Sequence, residues 1–162
     1  MFSHTAEYAL RVIVHLASLQ DSPTTTRQIA QATRIPEGYL AKVLQSLVHA
    51  GLITSQRGLH GGFVLGKTPA TLTLYDVMSV VDTPARINSC PLQLGTHDKT
   101  LCALHRRLDN VLANVENALR LATIADIIGD CECCKPLAEL VGASKNGSGA
   151  EELPPADSTG TA

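Results

Sequence analysis

Large aromatic side chains are nearly absent: no tryptophan, two phenylalanines and three tyrosines make up 3% of the chain. With 44% hydrophobic residues a core is available, but Leu, Val, Ile and Ala must fill it, a composition that favours helices. Apolar runs of the roughly 18 residues needed to cross a bilayer are missing. So is an opening basic segment followed by an apolar one, the pattern of a secretory signal. These two absences predict a cytoplasmic protein without membrane contact. The signatures of common enzymes are missing too. No Gly-rich phosphate loop stands between a strand and a helix, and there is no nucleophile elbow or metalloprotease motif. We therefore expect a protein that is not an enzyme.

A strong charge of either sign is also lacking, since the net charge is only −2. The average conceals an asymmetry. Residues 1–67 carry six Lys/Arg against three Asp/Glu, residues 68–122 carry five of each, and residues 123–162 carry two against seven. The first third can face a polyanion, whereas the acidic end would avoid one.

What is present is helical periodicity. Residues 4–20 place Ala6, Ala9, Leu10, Ile13, Leu16 and Ala17 on one face, and Ser3 or Thr5 can cap that helix. Thr26 is the expected cap of a short second helix over 27–33. Pro36 suits the first position of a third helix, which buries Leu40, Val43, Leu44, Leu47 and Val48 and ends at Gly51 as a left-handed cap. Two short β-rich pieces, Ile53–Gln56 and Phe63–Leu65, flank "RGLHGG" and predict a hairpin. Thr73 caps a fourth helix that Pro84 breaks. A long helix over about 101–121 carries a stripe of Leu101, Leu104, Leu108, Leu112, Val115 and Leu119. No later strand or long helix is available to cover that stripe fully, which points to a helix from a second copy, a homodimer; the other reading is that it packs only on its own domain. "TIADII" reads as a short capped helix, and the Gly/Ser/Pro-rich acidic stretch from about 142 as a disordered tail.

The fold class expected is therefore mainly α: a winged helix-turn-helix with a two-stranded β wing, plus a long dimerisation helix. In such a unit the third helix enters the major groove and the wing reaches the backbone or minor groove of double-stranded DNA. Tyr39, Lys42 and Gln45 on the outward face of the third helix are the candidates for phosphates or base edges. Arg57 at the wing tip suits a narrow minor groove, and Gly61 and Gly62 beside it let the turn approach DNA closely. The other reading of the same layout is a protein-interaction module that binds no DNA.

Five cysteines occur, at 90, 102, 131, 133 and 134. In a cytoplasmic chain they do not suggest a disulfide framework. Metal, cluster or thiol-redox chemistry is one reading, and inert thiols the other. "INSCPLQLGTHDKTLCALH", residues 87–105, holds Cys90, Cys102 and His105. The three thiols of "DCECCK" could bind a soft metal or add a ligand to that loop, but with no second Cys/His pair at zinc-site spacing nearby they read as exposed thiols without a function.

"AEYALRVIVHLA", "RQIAQATRIPEGYLAKVLQSLVHAGLITSQRGLHGGFVL" and "TLYDVMSVVD" closely resemble the Rrf-two (Rrf2) family of bacterial transcription regulators, and the resemblance covers roughly residues 1–128. It implies a homodimer that binds pseudo-palindromic operators, with the long helix as the dimer seam. Cluster-binding members of the family carry three cysteines in the loop before that helix, some with a His three residues beyond the last. Cys90 matches the first cysteine, Cys102 the third and His105 the extra His; Thr96 stands in the middle position, with His97 beside it. A threonine hydroxyl is a poor iron ligand. Glu7 falls where some relatives supply an acidic ligand from the first helix of the other subunit. The resemblance thus implies a cluster, most simply 2Fe-2S, held by Cys90, Cys102, His105 and the partner's Glu7, with redox state, nitric oxide or iron and cluster supply as the signal. A cluster-free thiol- or metal-responsive regulator remains the alternative. The domain boundaries that follow are 1–82 for the DNA-binding unit, 83–103 for the sensor loop, 104–128 for the dimer helix and short helix, and 129–162 for the Cys-containing end.

Overall fold

A computed structural model describes residues 2–19, 21–58, 61–90 and 101–129. Its elements are α1 (His4–Ser18), α2 (Thr26–Thr33), α3 (Glu37–His49), β1 (Ile53–Gln56), β2 (Gly62–Leu65), α4 (Leu74–Val81), α5 (Ala103–Leu121) and α6 (Ile124–Gly129). The mainly helical expectation with a two-stranded wing holds, and β1 and β2 pair antiparallel from Ile53 opposite Leu65 to Gln56 opposite Gly62.

Local chemistry sets the helix starts. Ser3 caps α1 by accepting from the Ala6 N–H at 3.2 Å. The cap of α2 is Thr25, one residue earlier than the sequence pattern suggests. Gln28 decides this: the Thr25 N–H donates to its side-chain oxygen at 2.9 Å while Thr25 Oγ1 accepts from the Gln28 N–H, a reciprocal capping box. Pro36 likewise sits one place earlier than expected, at the cap of α3 rather than inside it. The same reciprocal arrangement joins Thr73 to Asp76 at α4. Gly51 takes φ +69 after α3, the left-handed ending its sequence position implies. The turn between α2 and α3 is made by Arg34 at φ +55.

The core lies where α1 packs on α2, α3, α4 and α6. Val12, Ile13, Ile29, Leu40, Val43, Leu47, Leu72, Val77 and Ile124 are fully buried there. Rings are few, so branched aliphatic side chains do the filling. α6 closes the head: Ile124 N–H donates to Leu72 O at 2.8 Å and Leu74 N–H to Ala122 O at 3.0 Å, tying the end of α5 to the start of α4.

A third, minimal strand position was not legible in the sequence. Thr24 pairs with Phe63 across two backbone hydrogen bonds of 3.1 and 2.9 Å. A Cβ on Gly62 would lie 2.7 Å from three backbone atoms of Thr24. Glycine is therefore needed at 62 for the wing to dock on the segment before α2.

His15 of α1 is buried, with Nδ1 lacking a hydrogen-bond partner among the described residues. Burial holds its pKa below 6.5. The unfolded chain then takes up its proton at higher pH than the folded chain, so the contribution of this residue to stability falls as pH drops through the ordinary histidine range and is unaffected well above it. Thermal melts at about pH 7.5 and about pH 5.5 should show a fall that His15→Leu reduces; an unchanged pH slope in the variant would remove His15 as the cause.

Candidate functional site

Two sites stand apart on the chain. In the head, Tyr39, Lys42 and Gln45 follow one another at helical spacing on the outward face of α3, and all three are exposed, Tyr39 to 67%. Arg57 follows β1 and is exposed at the wing tip, next to Gly58 at φ +118. Exposed Arg27, in the first turn of α2, and Arg34, just after it, lie on the same helix-turn-helix. Gly61 and Gly62 have an internal role: a Cβ on Gly61 would lie 2.5 Å from Gln56 O, so both glycines shape the wing that presents Arg57.

The second site forms at the start of α5. Cys102 is its N-cap, and Sγ accepts from the His105 N–H at 3.5 Å, a place usually held by Ser or Thr oxygen. The Cys-x2-His spacing puts the imidazole back over that cap, with His105 Nδ1 3.1 Å from Cys102 Sγ. Cys90, arriving from the segment after α4, brings its Sγ to 3.6 Å from the same Nδ1 and is itself buried. All three ligand atoms lie within 4.8 Å of one another. The His105 backbone N–H holds the Cys102 thiol below its ordinary value, and its contact with Cys90 acts in the same direction. Two sulfurs and an imidazole suit zinc, iron or an iron–sulfur cluster better than any oxygen-seeking ion. The donor set fits three corners of such a centre.

Within one chain this group does not include Glu7, which lies on the exposed side of α1. Glu7 is paired with Arg11, and His4 Nδ1 stands 3.8 Å from it. Arg11 in turn donates to Thr33 O at 3.4 Å, so the acid is joined to the end of α2. Thr96, His97, Cys131, Cys133 and Cys134 lie outside the described residues.

Sequence reasoning missed an ion-pair cluster that ties the segment before Cys90 to α5. Arg86 binds Asp109 of α5 through Nε at 2.8 Å and Nη2 at 2.7 Å, and Glu116 through Nη1 at 3.4 Å. Arg86 holds the Asp109 carboxyl down at about 2, and Glu116 is lowered by Arg120 first and Arg86 second. No local pattern marks a contact spanning 23 residues.

A trihelical head with an exposed polar recognition helix and a basic wing defines a winged-helix DNA-binding regulator. The comparisons with known proteins agree. The Rrf2 model, described as iron-dependent transcriptional regulator, matches residues 2–130. The chain belongs to the Rrf2 family of transcription regulators. The HTH-type transcriptional regulator CymR of Bacillus subtilis (strain 168) is 36% identical over 83 residues, 51% of this chain and 60% of the relative. The solved structure of B. subtilis CymR, described as the global cysteine regulator, superposes with a TM-score of 0.69 at 27% identity, covering 82% of this chain and 98% of that one. The structure of T. potens IscR gives a TM-score of 0.70 at 24% identity, over 83% and 90% of the two chains, a likeness of fold. No helix among the described residues is long and apolar enough to cross a membrane.

Proposed function

We propose that this regulator binds a two-fold operator as a homodimer and changes its affinity with the state of a 2Fe-2S centre held by Cys90, Cys102 and His105. The observation that carries this reading is the convergence of the two sulfurs and His105 Nδ1 from segments 15 residues apart. The family's description as iron-dependent regulators supports it. A two-iron cluster takes four protein ligands, and Glu7 of the second copy would be the fourth, as the family resemblance implies. When bound, the cluster supplies a centre that responds to oxidation, nitric oxide or iron supply. The chain's own part is transmission. Withdrawing Glu7 from Arg11 frees the guanidinium that also donates to Thr33 O, at the turn leading into α3.

On the DNA side, Tyr39, Lys42 and Gln45 read the major groove and Arg57 the adjacent backbone or minor groove. The exposed stripe of α5 forms the seam between copies, and the unit boundaries at 82/83, 103/104 and 128/129 follow from this division of labour.

A second reading has its own support. Cys102 combines a lowered thiol pKa with a helix N-cap, and Cys90 is its neighbour, so a cluster-free thiol switch uses the same residues. A cysteine regulator among the relatives agrees with it. Anaerobic purification separates the two. Visible charge-transfer absorption with iron and acid-labile sulfide near two per chain is expected for the cluster. Colourless protein without iron after reconstitution, whose operator binding still changes on oxidation, would leave the thiol switch.

A further inference from the structure

Residues 82–90 carry no helix or strand, so no backbone ladder fixes where Cys90 sits. Arg86 supplies the anchor. Its planar fork grips Asp109 at two points, which sets orientation as well as distance. The Ile87 N–H donates to the same carboxylate at 3.0 Å, so the backbone is held along with the side chain. Asp109 lies one helical turn beyond His105, and Cys90 lies four residues beyond Arg86. The clamp therefore stands next to the sulfur–imidazole contact.

The contacts continue along α5. Glu116 accepts from Arg120 at 3.0 and 2.9 Å, and the Arg120 guanidinium stacks 3.5 Å over the ring of Tyr75 in α4. His105, Asp109, Glu116 and Arg120 are thus one face of α5, turned toward its own chain. Leu104, Leu108, Val111 and Val115 are a separate, exposed face, with Leu112 at the boundary between the two. One end of the polar face is the Cys/His group, and the other is a helix that packs on α1 and α3 of the head.

We propose that Arg86 is a positioning residue: its fork on Asp109 holds Cys90 against His105 and Cys102, and through Glu116, Arg120 and Tyr75 it ties the state of that group to α4 of the DNA-binding head. The proposal rests on the reading of the three residues as the responsive centre, and it adds residues that the ligand pattern does not contain.

The test uses the full chain, reduced and oxygen-free, with Co2+ alone as the probe of the sulfur–imidazole set, read by thiolate-to-cobalt absorption. Arg86→Ala should weaken Co2+ binding by roughly 10- to 100-fold, the usual effect of removing an outer partner of a metal site. Arg86→Lys keeps the charge without the fork and should recover only part. Arg120→Ala should keep Co2+ affinity while reducing the Co2+-induced change in operator affinity by about threefold or more. Unaltered Co2+ binding in Arg86→Ala overturns the positioning role, and a full operator response in Arg120→Ala overturns the coupling. Where Arg86→Ala loses its helical circular dichroism, Asp109→Asn takes its place and must give the same result. Equal Co2+ binding by the unaltered chain and Cys102→Ser would instead sink the reading of the centre. The clamp is then decided by alkylation of Cys90, 7% exposed in the folded chain. Its rate should rise about tenfold in Arg86→Ala if the fork holds it in place, and should not change otherwise.

Discussion

Leu108→Asp is expected to leave the protein monomeric and to weaken operator binding by about a thousandfold. α5 has no buried residue, an unusual condition for a 19-residue helix with an apolar stripe. Leu104 is 63% exposed, Val111 55%, Leu108 46% and Val115 40%, all on one face, with Leu112, 37% exposed, at its edge. A contiguous apolar face of this kind marks an interaction surface. In a two-fold seam each substitution appears twice, placing two unpaired carboxylates into a desolvated contact at several kcal/mol each. Each 1.4 kcal/mol is a factor of ten, so the dimer is lost at micromolar concentration. The operator effect follows from geometry. In the proposed dimer two linked heads would engage two half-sites, the second contact being intramolecular; a monomer would forfeit that gain. Sedimentation and an operator titration at one fixed salt concentration check both halves of the prediction. A Leu108→Asp protein that stays dimeric and binds normally would show that the copies meet elsewhere.

The parts of the fold that were legible in the sequence are those governed by near neighbours. Helical spacing and the residues after each turn located the six helices of the described residues, and Gly51 ended α3 as its position implied. Where two neighbouring threonines competed to cap α2, the deciding partner was Gln28, whose side chain returns only to Thr25. The stripe on α5 included Leu104, Leu108, Leu112 and Val115 but not Val111, which shares the exposed face. Val12 and His15 are buried in α1 although neither belongs to the face read from the spacing. The same limit applies to the site. Cys102 and His105 were readable as a pair since they share one helical turn; Cys90 was singled out with them in the same loop, and its match to a ligand position came through the family resemblance. The Arg86 fork and the Thr24–Phe63 pairing depend on contacts between segments far apart in the chain, and neither residue type nor spacing announces them. Gly61 and Gly62 were singled out for closeness to DNA; the closeness visible in the structure is to Gln56 and Thr24.

Cys102→Ser is expected to abolish the response while leaving the fold intact, because Cys102 has two separable tasks. As the N-cap of α5 it accepts from the His105 N–H, and a serine hydroxyl does this at least as well as a thiol. As a donor it stands 3.1 Å from His105 Nδ1 and within reach of Cys90, and there oxygen is no substitute for sulfur toward iron, zinc or cobalt. The variant should therefore melt within about 1 kcal/mol of the unaltered chain and remain dimeric. Its iron and Co2+ content should fall at least about tenfold. Its operator affinity should no longer differ between reconstituted and metal-free protein, fixed at the value of whichever state lacks the centre. Cys102→Ala removes both tasks and should lose about 1 kcal/mol besides, so that comparison of the two variants divides capping from coordination. His105→Ala is complementary: it keeps the backbone N–H that Cys102 caps and removes only the imidazole, so it should weaken the centre without loosening the start of α5. Iron bound by Cys102→Ser at the level of the unaltered protein would place the centre on other ligands and return Cys102 to a capping role alone.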